Sequence, residues 1–385
     1  MKHSTRLTLA TAGIAAFALV LTGCTSGGTE NGQQTNADPD SELDPVSLQL
    51  QWVAQAQFAG YYAALDQGYY EDEGLDVTIL EGGGDIVPQD VLAGGDADYA
   101  ISWVPKVLGS IEQGAEITDV AQIFERSATT QISFKDAGIT SPADLKGKNV
   151  GSWGYGNEWE LFAGMQKDGV NLGDISLVQQ AFDMNGFLAG DIDAAQAMTY
   201  NEYAQVLETV NPDTGELYTP DDLNVINWND VGTAMLQDAI WADANKLADD
   251  EAYADQTVRF IKASIKGWVY ARDNPEEAAD IVTAAGSTLG TSHQLWMTNE
   301  VNKLIWPSAS GGIGMIDEAA WSQTVDIAKT TKNETGATII TDDPPATAYA
   351  NEYVEKALAE LADEGVDTEG ASFAPIDVTL TEGGN

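Results

Sequence analysis

Residues 46–52 read Val-Ser-Leu-Gln-Leu-Gln-Trp, so that apolar and polar side chains alternate along the segment. This alternation is typical of a half-buried strand, and residues 75–80, Leu-Asp-Val-Thr-Ile-Leu, repeat it. Between them, residues 58–66 have a helical pattern that ends before Gly68. A further strand is predicted at residues 99–103. Strands that alternate with helices at this spacing predict an α/β fold with a mostly parallel sheet.

The same alternation of elements continues through the rest of the chain. Residues 148–153 form the next predicted strand, and a Gly-Tyr-Gly loop leads from it into a predicted helix at residues 158–167. Long helical patterns follow at residues 257–272 and 350–363. The second half of the chain is therefore expected to be richer in helix than the first.

These patterns predict two α/β lobes that are joined by a hinge. The first lobe combines residues 45–132 with residues 236–375, and the second lobe consists of residues 133–235. A chain of 385 residues is long enough for two packed lobes. The last residues, 376–385, are rich in Gly, Thr and Glu, and we expect them to fray.

The charge balance excludes one class of partner. The chain has 17 basic and 61 acidic residues, which gives a formal net charge of −44. Such a surface repels phosphate backbones, so we expect no binding to nucleic acid. Solubility is the simpler interpretation of this charge, and a direct role in the capture of a solute is the alternative.

The N-terminal residues predict export from the cytoplasm. Lys2 and Arg6 are followed by an apolar run at residues 7–21, which is too short to span a hydrocarbon core of ~30 Å and is typical of a signal peptide. The next residues, Leu-Thr-Gly-Cys at 21–24, resemble the bacterial lipobox, in which the thiol is diacylated and the chain is cleaved before the cysteine.

We therefore predict a signal peptide at residues 1–23 and lipidation of Cys24. Cys24 is the only cysteine of the chain, so it cannot form a disulfide within it. Residues 24–44 are polar and are expected to be a flexible tether. The predicted location is the extracytoplasmic face of the cell membrane, where two acyl chains give a stable anchor. An ordinary signal peptide with an incidental cysteine is the alternative.

Four motifs carry a resemblance to a known family. In chain order they are Gln-Trp-Val-Ala-Gln-Ala-Gln-Phe-Ala-Gly-Tyr-Tyr at 51–62, Leu-Ala-Gly-Gly-Asp-Ala-Asp at 92–98, Asp-Leu-Lys-Gly-Lys-Asn-Val-Gly at 144–151 and Met-Thr-Tyr-Asn-Glu at 198–202. The ordered set resembles the solute-binding proteins of ABC transporters that are related to thiamine-pyrimidine synthase and to the alkanesulfonate-binding proteins. The motifs cover the first half of the folded chain, and the helical C-terminal part matches only in general pattern.

The resemblance implies a type II periplasmic-binding-protein fold, with a ligand cleft between two lobes. It implies a monomeric receptor that closes on a small solute and delivers it to an ABC permease and, through the permease, to its ATPase. A small heteroaromatic solute is expected, with a thiamine-type pyrimidine first. Riboflavin or another vitamin-like heterocycle and a sulfonate are the alternatives. The candidate loops hold few Lys or Arg residues, which argues against a phosphorylated solute.

Aromatic side chains at the ends of predicted strands mark the candidate binding site. The chain has ten Trp and thirteen Tyr, and in open α/β sheets ligands bind at the carboxyl ends of the strands. A heterocycle that stacks between rings from two lobes couples binding to cleft closure. The candidate ligand-binding residues are Trp52, Gln57, Phe58, Tyr61, Trp103, Trp153, Tyr155, Asn157, Glu158, Tyr200 and Glu202.

The residue types leave structural roles open for several of these candidates. The resemblance implies stacking by Trp52 and a hydrogen bond from the heterocycle to Glu202. Gln57, Phe58 and Tyr61 begin a predicted helix, where packing within the lobe is the alternative. Trp103 follows a buried strand and is as well explained by core packing, and the position of Glu158 at a helix start also suits the helix dipole.

The sequence argues against catalysis. Fungal pyrimidine synthases resemble these binding proteins in fold, but their chemistry needs a Lys, a His donor and iron ligands. The only histidines here are His3, in the predicted signal peptide, and His293. No Cys/His metal cluster, phosphate-binding loop or Gly-x-Ser-x-Gly motif is present. We expect neither cofactor, metal nor enzyme activity; a synthase-like enzyme and a structural surface lipoprotein are the alternatives.

Overall fold

The computed structural model of the protein describes residues 43–385. The predicted signal peptide, Cys24 and nearly all of the predicted tether lie outside the described residues. The strands of the described part are β1 (Asp44–Gln49), β2 (Leu75–Leu80), β3 (Tyr99–Trp103), β4 (Ile117–Gln122), β5 (Thr129–Phe134), β6 (Asn149–Ser152), β7 (Ser176–Gln179), β8 (Ala195–Met198), β9 (Leu223–Asn227) and β10 (Asp238–Asp243).

Helices separate most of the strands, and within the described residues no strand follows β10. They are α1 (Ala59–Asp66), α2 (Tyr69–Asp72), α3 (Pro88–Ala93), α4 (Val104–Glu112), α5 (Trp159–Lys167), α6 (Asn185–Leu188), α7 (Glu202–Leu207), α8 (Trp228–Val231), α9 (Ala244–Asp249), α10 (Glu251–Asp273), α11 (Pro275–Ala284), α12 (Thr291–Ile305), α13 (Glu318–Thr330) and α14 (Glu352–Asp363). Over residues 43–385, no helix combines the length and the apolar character that a membrane crossing requires.

The larger sheet contains five strands in the order β2-β1-β3-β10-β4. Strand β1 runs parallel to both of its neighbours, whereas β10 is antiparallel to β3 and to β4. The register places Asp238, at the start of β10, opposite Trp103, at the end of β3. An antiparallel strand therefore brings its first residue to the edge of the sheet at which the parallel strands end.

The remaining strands form two smaller sheets. Strands β8, β5 and β9 pair in antiparallel fashion in that order, and β6 and β7 form a parallel pair. An isolated bridge between Val150 and Ala194 connects β6 to the residue before β8. The α/β prediction is thus confirmed, but the sheets are mixed rather than mostly parallel. Hydrophobic alternation does not encode strand direction, because direction depends on the path of the connections.

The chain passes twice between the larger sheet and the three-stranded sheet. Residues 123–128 lead from β4 to β5, and residues 228–237, which include α8, lead from β9 back to β10. Both connections are short compared with the segments on either side of them. The larger sheet is therefore assembled from two stretches of the chain that flank the smaller sheets.

Helix α1 is fixed by a close crossing with α10. A Cβ atom at Gly267 would lie 1.9 Å from the carbonyl oxygen of Gly60, and one at Gly60 would lie 2.1 Å from the ring of Trp268. Glycine at both positions therefore lets the two backbones approach. This crossing holds the N-terminal end of α1 and the preceding residues, which contribute to the site described below.

The C-terminal residues 376–385 pack against the protein, although the sequence predicts fraying. The backbone N–H of Ile376 donates to Asn299 Oδ1 at 2.9 Å, and that of Gly383 donates to the Glu208 carbonyl at 3.0 Å. Leu380 joins the apolar cluster around Phe187. The fraying prediction was based on composition, which does not reveal these long-range contacts.

Candidate ligand-binding cavity

A cavity of about 670 Å³ lies at the ends of strands from both the larger and the smaller sheets. Residues that follow β1, such as Trp52, and the last residue of β3, Trp103, form part of its wall. The loop after β6, with Trp153 and Asn157, and the residues after β8, with Glu202, form another part. The volume is within the range of small-molecule sites, roughly 300–1,000 Å³.

On this wall, the ring of Phe182 contacts two tryptophan rings. The rings of Trp52 and Phe182 have centroids 4.7 Å apart at an angle of 54°, and those of Trp153 and Phe182 are 6.3 Å apart and nearly parallel, at 20°. Phe182 is 46% exposed. Because Trp52 follows β1 and Trp153 follows β6, Phe182 bridges rings that come from different sheets. The three rings provide faces on which a flat solute can stack.

A buried carboxylate, that of Asp238, organises the part of the wall formed by the larger sheet. Its Oδ1 accepts hydrogen bonds from Gln51 Nε2 at 2.6 Å and from Trp103 Nε1 at 2.7 Å, and its Oδ2 accepts one from Gln57 Nε2 at 2.9 Å. Gln55 Nε2 donates in turn to Gln57 Oε1 at 2.7 Å. Burial raises the pKa of Asp238 to about 6, against the effect of these hydrogen bonds. The carboxylate therefore fixes three side chains in place.

Among the described residues that line the cavity, Lys106 is the one with a basic side chain. It lies in the first turn of α4, and its Nζ is 4.8 Å from the centroid of the Trp103 ring. Burial lowers the pKa of Lys106 to about 8, while the charges of Asp238 and Glu158 act in the opposite direction. The ammonium group thus lies on an aromatic face at the edge of the cavity.

The smaller sheets contribute a second buried carboxylate, that of Glu202. Its Oε2 accepts a hydrogen bond from the Met198 backbone N–H at 3.0 Å, and its Oε1 accepts one from Asn201 Nδ2 at 3.2 Å. Burial raises the pKa of Glu202 to about 7, whereas the charge of His293 lowers it. A carboxylate has about four acceptor positions, so Glu202 keeps capacity for a donor on a solute.

A chain of buried hydrogen bonds extends from Glu202 away from the cavity. Asn201 Oδ1 lies 3.1 Å from His293 Nε2, and His293 Nδ1 lies 2.9 Å from Glu208 Oε1. Both ring nitrogens of His293 therefore face oxygen atoms that can accept a hydrogen bond. His293 and Glu208 do not line the cavity; they support Asn201, which does.

The structure brings eight of the eleven predicted site residues to the cavity wall: Trp52, Gln57, Trp103, Trp153, Tyr155, Asn157, Tyr200 and Glu202. Tyr155 is 84% exposed and has a positive φ of 55°, between two glycines that also have positive φ. Asn157 Nδ2 donates to the Gly154 carbonyl at 2.7 Å and so closes this loop. Tyr200 is buried beside Phe124, with ring centroids 6.5 Å apart.

The other three predicted residues do not line the cavity. Phe58 is fully buried in the main core, and the ring of Tyr61 packs edge-on against Trp268 at 5.5 Å. The carboxylate of Glu158 accepts the backbone N–H of Gly156 at 3.0 Å, and burial raises the pKa of this carboxyl group.

Asp238, Lys106 and Phe182 line or support the cavity but were not predicted from the sequence. Asp238 reaches Trp103 only through the antiparallel pairing of β10, which no local pattern reveals. Lys106 had a weak signal, because a lysine in the first turn of a helix opposes the helix dipole. Phe182 follows β7, a parallel strand, so its position at a strand end was the available signal. Over residues 43–385, no cluster of three or more His, Cys, Asp or Glu side chains offers a metal site.

Two curated relatives are named as binding proteins. The chain is 26% identical over 256 residues to the formylaminopyrimidine-binding protein of Halalkalibacterium halodurans, covering 65% of this chain and 73% of that protein. It is 24% identical over 310 residues to the riboflavin-binding protein RibY of Chloroflexus aurantiacus, covering 75% of this chain and 81% of that protein. It is also 22% identical over 253 residues to a 4-amino-5-hydroxymethyl-2-methylpyrimidine phosphate synthase of Aspergillus parasiticus, covering 64% of this chain and 72% of the enzyme.

Solved structures confirm the fold class. The alkanesulfonate-binding protein SsuA from Xanthomonas axonopodis pv. citri, solved with MOPS, superimposes with a TM-score of 0.57 at 14% identity, covering 81% of this chain and 99% of that one. A Candida albicans protein described as having the generic periplasmic binding protein fold superimposes with a TM-score of 0.53 at 14% identity, covering 88% and 98%. The protein therefore has the periplasmic-binding-protein fold.

The sequence model of one family, described as NMT1/THI5 like, matches residues 55–278. These residues include most of the strands and all but a few residues of the cavity wall. From the motifs, the fold and this match, we conclude that the chain belongs to the NMT1/THI5-like family.

Proposed function

We propose that this protein is the extracytoplasmic solute-binding protein of an ABC importer, and that it captures a small heteroaromatic solute without transforming it. The observation that carries this proposal is the convergence of Trp52, Trp153 and the Glu202 carboxylate on one cavity. Two rings from different sheets can stack on a flat heterocycle. A carboxylate then selects solutes that present an N–H group in the plane of the ring.

A thiamine-type pyrimidine, such as formylaminopyrimidine or hydroxymethylpyrimidine, is our first choice of solute. It offers a flat ring for Trp52 and an exocyclic amine for Glu202, and a relative named for formylaminopyrimidine binding supports it. A riboflavin-type heterocycle is the second choice. A cavity of about 670 Å³ is large for a single pyrimidine ring, and another relative is named for riboflavin binding.

We infer that the cavity closes around the solute by bending of the two connections at residues 123–128 and 228–237. In this proposal, the predicted lobe boundaries move to these two connections, so that the residues before 123 and after 237 form one lobe and residues 129–227 form the other. Glu160 links the two connections, because it accepts hydrogen bonds from Ser127 Oγ at 2.9 Å and from the Met235 backbone N–H at 2.6 Å. The closed form is then the one that an ABC permease and its ATPase recognise, while a lipid on Cys24 keeps the receptor at the membrane.

Catalysis is not part of the proposal. Among the described residues, the single histidine is His293, which is buried, bonded to Glu208 and absent from the cavity wall. A structural surface lipoprotein would not need a cavity lined by aromatic rings from two sheets. The two are separable by experiment, since a solute that binds the folded state stabilises it by about 2.7 kcal/mol at a hundredfold excess over Kd.

Calorimetric titration of the purified protein with formylaminopyrimidine, riboflavin and an aliphatic sulfonate tests the proposal. We expect binding of a heteroaromatic compound, weakened by about 1–3 kcal/mol in Trp52→Ala. Tyr69→Ala removes a half-buried aromatic side chain outside the cavity and is the matched control. Binding of the sulfonate alone, or the same affinity in Trp52→Ala as in the control, would contradict the proposal.

A further inference from the structure

Lys106 stands out from the other cations of a strongly acidic protein. The chain has 17 basic against 61 acidic residues. Residues 43–385 contain fifteen Lys and Arg side chains, of which seven form ion pairs with carboxylates, and Lys106 is among the eight that do not. In the described part of the cavity wall, Lys106 is the one cation and Glu202 the one carboxylate. Because Lys106 alone of the unpaired cations in the described residues lies on the cavity wall, its position calls for an explanation.

The position of the Lys106 side chain is fixed on two sides. Its ammonium group lies over the Trp103 ring, and the indole N–H of Trp103 is held by Asp238 at 2.7 Å. On the other side, a Cβ atom at Gly156 would lie 3.6 Å from Lys106 Cγ and 3.8 Å from its Cε. The glycine loop after β6 therefore packs along the aliphatic part of the lysine, so that its charged end stays at the cavity.

Apart from the cation–π contact with Trp103, the described contacts reveal no structural benefit of this placement. A cation in the first turn of α4 opposes the helix dipole, and the first turn contains no acidic residue to compensate. The nearby Asp238 carboxylate already accepts three hydrogen bonds, and the Glu158 carboxylate accepts the Gly156 N–H. When a solute and cavity closure exclude water, an ammonium group without an anionic partner becomes unfavourable.

We propose that the solute carries a singly charged carboxylate, and that Lys106 binds it while Glu202 accepts an N–H group from the heterocycle. The inference rests on the proposed function and keeps its heteroaromatic ring, but it favours an acidic derivative over the neutral pyrimidines named first above. A solute group with one negative charge fits beside Lys106 better than a group with two. The carboxylates of Asp238 and Glu158 already act on the Lys106 charge, and the strongly negative chain repels a second negative charge on the solute. Lys106 is thus a determinant of specificity rather than a structural residue.

The test uses three compounds that share the 4-amino-2-methylpyrimidine ring and differ at position 5: the hydroxymethyl compound, the carboxylate and the hydroxymethyl phosphate ester. Calorimetric titration of the wild-type protein should give at least about tenfold tighter binding of the carboxylate than of the hydroxymethyl compound. The advantage should shrink as salt is added. The phosphate ester should bind more weakly than the carboxylate, and tighter binding of the phosphate would overturn the single-charge assignment.

Lys106→Gln should abolish the preference for the carboxylate and leave the affinity for the hydroxymethyl compound within about threefold, since a neutral solute gains no ion pair. Lys356→Gln is the matched control, because Lys356 is exposed, lies over the ring of Tyr353 at 5.6 Å and does not line the cavity. A wild-type protein that binds all three compounds equally, or a preference that survives in Lys106→Gln, would refute the assignment. Failure of all three to bind the wild type would instead refute the pyrimidine proposal.

Discussion

The two buried carboxylates at the cavity, Asp238 and Glu202, differ in how far the protein satisfies them. Asp238 accepts three hydrogen bonds from side chains, all of which belong to the cavity wall in their own right. Glu202 accepts one from a backbone N–H and one from Asn201. Burial raises the pKa of both, to about 6 for Asp238 and about 7 for Glu202.

This difference separates a positioning role from a binding role. A carboxylate that already holds three donors has little capacity left for a solute, and its loss leaves buried donors without a partner. A carboxylate with two donors and a position on the wall can accept another. We therefore expect substitution of Asp238 to act mainly on folding stability, and substitution of Glu202 to act mainly on affinity.

The largest effect is expected for Asp238→Ala. Gln51, Gln57 and the Trp103 N–H lose their acceptor together, so the free energy of unfolding should fall by roughly 3–5 kcal/mol. Urea denaturation followed by tryptophan fluorescence measures this change. Asp238→Asn retains one acceptor oxygen and should lose less than half as much. Equal stability of Asp238→Ala and the wild type would show that the three hydrogen bonds do not fix the wall.

A smaller effect, on binding alone, is expected for Glu202→Gln. The amide oxygen still accepts the Met198 N–H, so the free energy of unfolding should stay within about 1 kcal/mol of the wild type. The affinity for formylaminopyrimidine should fall by about 1.5–3 kcal/mol, because a charged acceptor is replaced by a neutral one. Glu300→Gln, a change at another buried Glu that does not line the cavity, is the control for calorimetric titration.

The raised pKa of Glu202 adds a pH dependence to the same comparison. A solute that donates an N–H group binds the ionised carboxylate, so affinity should reach its upper limit about one pH unit above the Glu202 pKa of about 7 and should fall as the pH decreases through that value. The dependence should be absent in Glu202→Gln. If the affinity of the wild type does not change between pH 5.5 and 8, Glu202 has a structural role, like the one that we give to Asp238, and does not bind the solute.

The sequence predicted the local elements of this fold well because they rest on short-range patterns. The predicted strands at 75–80 and 99–103 coincide with β2 and β3, and the predicted helix at 158–167 differs from α5 by one residue. The direction of β10 was not predictable in the same way, because it depends on where the chain returns after β9. The wrong prediction of a mostly parallel sheet and the failure to predict Asp238 therefore have the same cause, which is the direction of β10.

The candidate site was predictable where it follows the ends of parallel strands. Trp52, Trp103 and Trp153 were identified by that rule and reach the cavity wall. Phe58 and Tyr61 follow Trp52 closely in sequence, yet the short helical turn that begins at Ala56 directs both into the core. The helical phase at that point is decided by packing against α10 and α12, which is a long-range property.

The smallest effect is expected for a substitution of His293, which contacts Glu202 through Asn201. His293→Gln removes a positive charge that lowers the pKa of Glu202, so the midpoint of the affinity profile should move to higher pH. Affinity at pH 8 should change by only about 1 kcal/mol or less, because Asn201 remains to donate to Glu202.

Calorimetric titration across pH distinguishes this positioning role from a general loss of structure. Misfolding would weaken binding equally at every pH, whereas the loss of the buried charge shifts the profile and leaves its upper limit nearly intact. Lys303→Gln, which removes a cation from the same helix, α12, without a contact to Asn201, is the control and should leave the midpoint unchanged. If the midpoint of the affinity profile does not shift in His293→Gln, the hydrogen bonds that link His293 to Glu202 have only a structural role. The difference between Asp238 and Glu202 would then depend only on the donors that bond to each carboxylate directly.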